Sequence, residues 1–511
     1  MAVIGLDFGN THSFPSFVLD MDPQTRRGGV EQSLLPAETR YNAGIPTTYY
    51  YSQRQGEKFG AAAAAANPVA NQRSMLKRHF GETEEIDGKL VDYNDVITRM
   101  VEHIVQVANQ SMLRNFRTTT NQVSLAYPVT FLHTQVMQLV QLVEKARMED
   151  GTPLQVVGTI HEPAAAALAY LCSVNITRPC NVLIYDLGGG TFDVASVTAF
   201  PEGRLYPDGV TRYYEVNGLD GMKLGGAEFD DRMLEMIIAR AGVRPGGNRL
   251  EMWRRAAEAC KIELSSSDSS VPAIYDADGE PLDVEITRRD FEEQIRPLVA
   301  STVAMVSDFI SRPNIPQPDL ILLTGGQSQT PLIMEMLRAA LPAYQDRIHI
   351  YRPQQAIAFG AARYGVLGSE VVHRRNRYAI GMRDFTNTLS KDEAERNRRY
   401  VHILVPEGSD LPTTDAKWQG FGVRVNGDVQ TNIFTLNIVE ANRTNPDVYQ
   451  QDEHFNRSMS VEIDFGRIIR DHDPFELLIT VDDKDMVRAS IRDPQNPGVT
   501  ASATVRLTNI V

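Results

Sequence analysis

Residues 183–194 read LIYDLGGGTFDV, and the reading of the whole chain turns on them. Leu183, Ile184 and Tyr185 make a short apolar run of the length of a buried strand. Asp186 stands where that strand ends, just ahead of Gly188, Gly189 and Gly190. Successive glycines cost backbone entropy, so they mark a tight turn or a backbone that something approaches closely. Thr191 and Asp193 follow, and Val194 opens a second apolar, alternating run. The stretch predicts strand, glycine turn, strand. Backbone N–H groups at such a turn can cradle phosphate oxygens while Asp186 holds the accompanying cation. Taken alone, an ordinary Gly-rich hairpin explains it equally well.

The pattern occurs twice. Residues 2–20 read AVIGLDFGNTHSFPSFVLD, with Val3, Ile4 and Leu6 as strand and Asp7 to Thr11 as turn. Phe17, Val18 and Leu19 form the returning strand. Asp7 and Asp186 hold equivalent places, each after an apolar run and before a Gly-containing turn. Two such hairpins predict two homologous lobes facing one nucleotide, the second lobe starting near residue 180.

Between and after the hairpins the chain alternates strand and helix signals. GAAAAAA at 60–66 favours helix. Lys77 lies in SMLKRHFG, where local sequence alone gives it no special standing. Residues 94–113 carry apolar spacing of three and four behind Asn94 as N-cap, and 133–149 predict another helix. In VVGTIHEPAAAALAYL, Glu162 sits at a strand-to-helix junction with Pro163 in the first turn, where helix capping is the plain alternative to chemistry. Gly225 and Gly226 lead into a helix that Asp230 and Asp231 would begin favourably. Glu258 and Lys261 are spaced i,i+3 on a helix, which reads as a surface ion pair. PDLILLTGGQSQTPLIMEMLRAAL repeats strand, Gly325-Gly326, helix. From about residue 378 short β-rich runs replace this grammar, with Asn426-Gly427 as a hairpin signal. The expected organisation is 1–367 as a nucleotide-binding domain, 368–377 as linker and 378–511 as an all-β domain.

Composition narrows the function classes. The chain has 511 residues, 42% hydrophobic and 23% charged, which is ordinary for a globular protein. A net charge of −14 argues against nucleic-acid partners. MAVIGLDFGN lacks a basic leader region and no long apolar run follows, so no membrane partner is expected. Cys172, Cys180 and Cys260 lack metal-type spacing and read as reduced thiols of a cytoplasmic protein.

The motifs IGLDFGNT, MLKRHFG, HEPAAAALAY, IYDLGGGTFDV, LGGAEFD, EACKIELSSS, LTGGQSQTP and RPQQAIAFGAA resemble, in order, those of the 70-kDa heat-shock chaperones. VHILVPEGSDLPTT and ITVDDKDMVRASIRD resemble the same family's β domain more loosely. The resemblance implies an α/β, two-lobed, actin-like ATPase domain with duplicated ribonuclease-H-like sheets, followed by a small all-β sandwich. It implies ATP and ADP as ligands with magnesium placed by Asp7 and Asp186. Gly9, Asn10, Thr11, His12 and Gly188, Gly189, Gly190 and Thr191 would hold phosphates, with Gly225 and Gly226 beside them. Lys77 would neutralise charge near the γ-phosphate, where Thr191 also stands, and Glu162 and Asp193 would orient water and metal. Glu258, Lys261 and Ser265 would hold ribose and adenine, and Gly325, Gly326 and Gln329 would line the base pocket. The expected activity is slow hydrolysis of ATP, with the β domain binding unfolded or extended polypeptide and co-chaperones acting on both.

The sequence departs from the family at defined places. Gln329 replaces an arginine that stacks on adenine, and Gln354 a usual aspartate. Val136 takes the position of an arginine that relays nucleotide state, and the linker keeps only Glu370-Val371-Val372. A polar segment, 383–399, stands where a short pocket loop is expected, and the expectation is a member lacking the family's helical lid. These departures favour a second reading, an ATP-gated assembly module with one dedicated partner. A sugar kinase or actin-like filament protein is a third, on the same nucleotide fold.

Overall fold

The computed structural model describes residues 2–21, 28–33, 44–131, 133–206, 209–368, 372–375, 379–386, 399–406, 409–411, 413, 416–422, 431–441, 455–469, 473–481, 487–505 and 508–509. The chain divides into two units. The first holds Met1–Phe131, Gln135–Gly203 and Leu219–Val371, and the second Leu132–Thr134, Arg204–Gly218 and Val372–Val511.

In the first unit the two hairpins sit in two separate sheets of matching design. Val3–Asp7 pairs antiparallel with His12–Met21 on one side and parallel with Gln122–Tyr127 on the other. Gln155–His161 extends that sheet in parallel beyond Gln122–Tyr127. Cys180–Leu187 likewise pairs antiparallel with Phe192–Leu205 and parallel with Leu320–Thr324, which pairs in turn with Ile348–Ile350. Asp7 is therefore flanked by Phe14 and Ala126, and Asp186 by Asp193 and Thr324. Central strands buried on both faces read as continuous apolar runs, as LIY and VIGL do. Each sheet has its own core: Ile4, Leu6, Phe17 and Leu125 around the first, Leu183, Tyr185, Ile321 and Leu323 around the second.

Helix Tyr93–Phe116 covers the first sheet with its apolar face. Its cap is Asp92 rather than Asn94: the Asp92 carboxylate accepts from Asn94 N at 2.8 Å, while Asn94 Oδ1 accepts from Gly81 N. Asn94 is thus one residue inside the helix and tethers a neighbouring loop.

Two small-residue helices, Glu162–Leu171 and Ala356–Leu367, pack on each other backbone to backbone. A Cβ on Gly360 would lie 1.7 Å from the Ala165 carbonyl oxygen, and one on Gly5 would lie 2.2 Å from that of Ala358. The alanine run after Glu162 exists for this contact, since Ala164 to Ala167 are all buried.

The second unit contains two antiparallel sheets sharing one core. One runs Arg399–Val405, Ala379–Thr386, Thr431–Ala441, Phe455–Ile469, Thr508–Asn509, and the other Gln419–Gly422, Pro474–Val481, Val487–Asp493, Asn496–Val505. Strict alternation directs Phe475, Leu477, Ile479 and Val481 inward. There Phe434, Phe465 and Phe475 meet edge to face with centroids 4.7–5.9 Å apart. Within the stretch read as linker, Val372–Arg375 is a strand paired in parallel with Tyr214–Val216. The Asn426-Gly427 turn, Glu370-Val371 and 387–398 of the polar segment lie outside the described residues. Among the described residues all three cysteines are free, and no helix is long and apolar enough to cross a membrane.

Gly360→Ala should lower unfolding free energy by about 3 kcal/mol or more, because the Ala165 carbonyl has no room to move. Chemical denaturation of the full chain measures it, and a loss under about 1 kcal/mol would show that the two helices separate easily.

Candidate functional site

Hydrogen bonds hold both glycine turns, from within the second and from Met75 N and Thr47 N onto the first. Gly188 N donates to Thr191 O at 3.0 Å, closing the second hairpin. Gly226 N and Ala227 N, the first amides of helix Gly226–Ala241, donate to Gly188 O and Gly189 O at 2.9 Å each. Helix-terminal N–H groups that lack intrahelical acceptors thereby brace the turn. Gly225 has to be glycine, since a Cβ there would stand 2.5 Å from Gly190 N. Gly325, with φ at +81°, passes the other side, where a Cβ would meet Leu187 O at 2.2 Å. These glycines are thus accounted for by strand and turn packing around the hairpin. That helix begins at Gly226 with Glu228 over its first turn, and Glu228 Oε2 accepts from Gly225 N at 2.7 Å. Asp230 and Asp231 come later, so the expected acidic start is displaced by one turn.

The first hairpin's turn faces the second. A Cβ on Gly189 would lie 3.0 Å from Thr11 Oγ1, and one on Gly190 2.7 Å from Asn10 Nδ2. Asn10 Oδ1 is buried without a hydrogen-bond partner, whereas its backbone oxygen accepts from Met75 N at 3.1 Å. Gly9 is fixed by its own turn, its Cβ position lying 2.0 Å from His12 O. His12 is partly buried, and desolvation pulls its pKa down while Glu258 works against that.

Behind the turns lies a buried acidic group. Carboxylate oxygens of Glu162, Asp186 and Asp193 lie within 4.8 Å of one another. Asp7, expected as the partner of Asp186, is outside that set but feels it: burial first, then Glu162, push its pKa up to about 8, with Lys77 opposing. Burial and the charges of Glu162, Asp193 and Asp7 hold Asp186 well above the usual carboxylate range. Burial raises Glu162 too, against the pull of Lys77. Hydrogen bonds arrive from Thr324 Oγ1 to Asp186 at 3.1 Å and from Val129 N to Asp193 at 3.0 Å. Lys77 Nζ reaches Glu162 Oε1 at 3.3 Å and lies 5.2 Å from the Phe131 ring centroid. Its side chain is 2% exposed, which an ammonium tolerates only when paired. Buried carboxylates with mutually raised pKa values are a donor set suited to a hard divalent cation that keeps part of its water shell. These residues fit magnesium.

Among the residues expected to hold ribose and adenine, one local reading is corrected. Lys261 does not stand at the surface; it is buried and pairs with Asp230 Oδ1 at 2.6 Å, one helix away. Asp230 is pushed up to about 6 by burial, with Lys261 opposing. The i,i+3 surface pair with Glu258 gives way to this bridge between helices Gly226–Ala241 and Asn248–Glu263. Ser265 lies just past the second of these, its N–H donating to Ile262 O. Gln329 is exposed and donates to Gly326 O at 3.3 Å. Gln327 Nε2 stands 2.7 Å from the Cβ position of Gly226, spanning two glycine turns.

Three residues were missed from sequence. Arg78 Nη2 lies 3.3 Å from the Cβ position of Gly190 and 3.9 Å from Glu228 Oε1. Its neighbour Lys77 in MLKRHFG was the available signal. Thr324 is marked only by its register opposite Asp186, and Phe131 by nothing local.

Asp7 favours the fold when protonated: that contribution is full below its unfolded value near 4 and lost as pH rises through about 8. The unfolding midpoint of ligand-free protein should therefore fall between roughly pH 5 and 9, less so in Asp7→Asn and less with added magnesium. Scanning calorimetry across that range measures it, and a flat wild-type profile would contradict the arrangement.

Residues 144–384 match the family model described as Hsp70 protein. The match takes in Glu162, the second hairpin, Gly225-Gly226, the Glu258 to Ser265 helix end and Gly325-Gly326; Asp7 and Lys77 precede it. With a buried acid cluster at paired glycine turns, this match over just under half of the chain supports membership of the Hsp70 family, whose members are ATP-binding chaperone ATPases of actin-like fold.

Proposed function

We propose that this protein binds ATP and ADP with magnesium between the two hairpin turns, hydrolyses ATP slowly in the cytoplasm, and uses its β unit to bind extended polypeptide. The two sheets of the first unit are, in this reading, the two lobes of a duplicated ribonuclease-H-like domain. One observation carries it: Glu162, Asp186 and Asp193 cluster beside a buried Lys77 where both glycine turns meet.

Phosphoryl transfer to water needs positioned charge and an in-line nucleophile, with little covalent work from the protein. Magnesium, when bound, supplies charge neutralisation on the phosphate oxygens. Asp7 and Asp186 are the residues to hold it. Backbone N–H groups of Gly9 to His12 and of Gly189 to Thr191, with Gly188 closing the second turn, orient the phosphates. Lys77 offsets charge that develops on the γ-phosphate. Glu162 and Asp193 orient the attacking water, and Glu162, already raised by burial, is placed to take its proton. Glu258 and Ser265 hold the ribose side with Lys261 fixed by Asp230, and Gly325, Gly326 and Gln329 border the base. Without an arginine at 329 that border lacks a cation–π contact worth about 0.5–2 kcal/mol.

A second reading, a dedicated partner in place of many clients, rests on Val136. It is buried in helix His133–Lys145 and carries no charge to relay nucleotide state.

Lys77→Ala should cut single-turnover hydrolysis by roughly 100-fold or more and leave nucleotide affinity within a few fold. Unchanged hydrolysis would end the mechanism. Fluorescent hydrophobic peptides titrated with and without ATP test the β unit. Affinity that falls on adding ATP supports a coupled chaperone, whereas no binding by any peptide, with one protein co-purifying, supports the dedicated partner.

A further inference from the structure

Strand Asn496–Val505 ends one sheet of the second unit and, among the described residues, pairs on one side only, with Val487–Asp493. Edge strands of natural proteins are kept short or guarded by charge, an inward lysine or proline. This one is ten residues long, and after Pro497 it carries no guard: Gly498-Val499-Thr500-Ala501-Ser502-Ala503-Thr504-Val505 contains no charged residue. The opposite edge of the same sheet, Gln419–Gly422, is four residues long.

The residues along the edge are symmetric. Thr500 to Thr504 read TASAT, the same in both directions about Ser502. Their faces are symmetric as well: Ala501 and Ala503 pack against the core, while Thr500, Ser502 and Thr504 are exposed on the other face. Antiparallel pairing of two such strands about a two-fold axis at Ser502 sets Thr500 opposite Thr504, Ala501 opposite Ala503 and Ser502 opposite itself. Threonine and serine meet their like on one face, a favourable cross-strand pairing, and alanine meets alanine on the core face. A self-matching register has value only for a partner with the same sequence, which is the definition of an isologous two-fold interface.

We infer that the Asn496–Val505 edge is a dimerisation surface, on which a second copy of this chain adds its own Asn496–Val505 to give one continuous sheet of four strands from each copy. Charge agrees. The chain carries −14 overall, so two copies repel over most of their surface, and this strand is a place where they meet without charge. Arg488 and Arg492 lie one strand in, opposite Thr504 and Thr500. Their backbones would stand three strand spacings, about 14 Å, from the matching strand of the other copy. Arg488 Nη2 also donates to Ser502 Oγ at 3.0 Å, which holds the axial side chain in place.

Sedimentation velocity of the full chain over a concentration series reads the association, and cysteine placement reads the register. Ser502→Cys should form a disulfide-linked dimer under mild oxidation. Thr500→Cys and Thr504→Cys should not link alone but should link when mixed. The parent protein, with Cys172, Cys180 and Cys260, sets the background. Ser502→Lys should weaken the dimer by about tenfold or more, Ser502→Glu likewise, and an equimolar mixture of the two should restore it. A protein that stays monomeric throughout the series, cross-linking that is equal at all three positions, or an edge that captures only extended peptides of other sequence would each overturn the inference. The cysteine variants keep small, uncharged side chains on the exposed face, so loss of folding does not confuse the result.

Discussion

Everything at the glycine-turn end of the first unit depends on how a handful of buried carboxylates is kept from repelling itself apart. Glu162, Asp186 and Asp193 share a few ångströms, Asp7 feels them, and one lysine ammonium stands against the group. Desolvation makes each charge costly, and each neighbour makes the next costlier. A fold that holds such a cluster spends stability on it, and the glycine turns, the helix amides on Gly188 and Gly189 and the Thr324 hydroxyl are the braces that keep it in place.

Much of this was legible in the sequence, and for a physical reason. A buried strand needs a continuous apolar run, and a backbone crossing needs glycine, so VIGLDFGN and LIYDLGGG announce both strand and turn. The strand-to-helix junction at Glu162 was readable from Pro163 in the first turn, whereas the close contact of the alanines behind it shows only in the fold. What the sequence hid were partners set by tertiary approach. Lys77 looks like any surface lysine until Phe131 and Glu162 are folded around it. Lys261 was assigned to Glu258 by helical spacing, yet spacing says nothing of a neighbouring helix, and Asp230 takes it at 2.6 Å. The Asp92 cap was missed by two residues because Asn94 is an equally good capping residue by type and only the hydrogen bond distinguishes them.

The roles of the glycines changed most. As a phosphate cradle they would be explained by a ligand; in the folded chain Gly9, Gly225 and Gly325 are already demanded by carbonyl and amide groups of their own surroundings. Ligand contact and close packing are compatible, since a turn stiffened by its own hydrogen bonds presents its remaining amides without further ordering cost. Asn10, with an unmatched buried oxygen, is the residue there whose chemistry the chain itself leaves unfinished.

The contact between Glu162–Leu171 and Ala356–Leu367 has a mechanical meaning. The first helix carries Glu162 at its start and lies against Cys180–Leu187 of the second sheet, while the other lies on Val3–Asp7 of the first. Alanine and glycine surfaces have no long side chains to interdigitate. Pulling the helices apart forfeits close dispersion contact, whereas sliding one along the other requires few rotamers to change. The pair is a joint with unlike resistances across and along it, and the acid cluster stands at one end of the Glu162 helix.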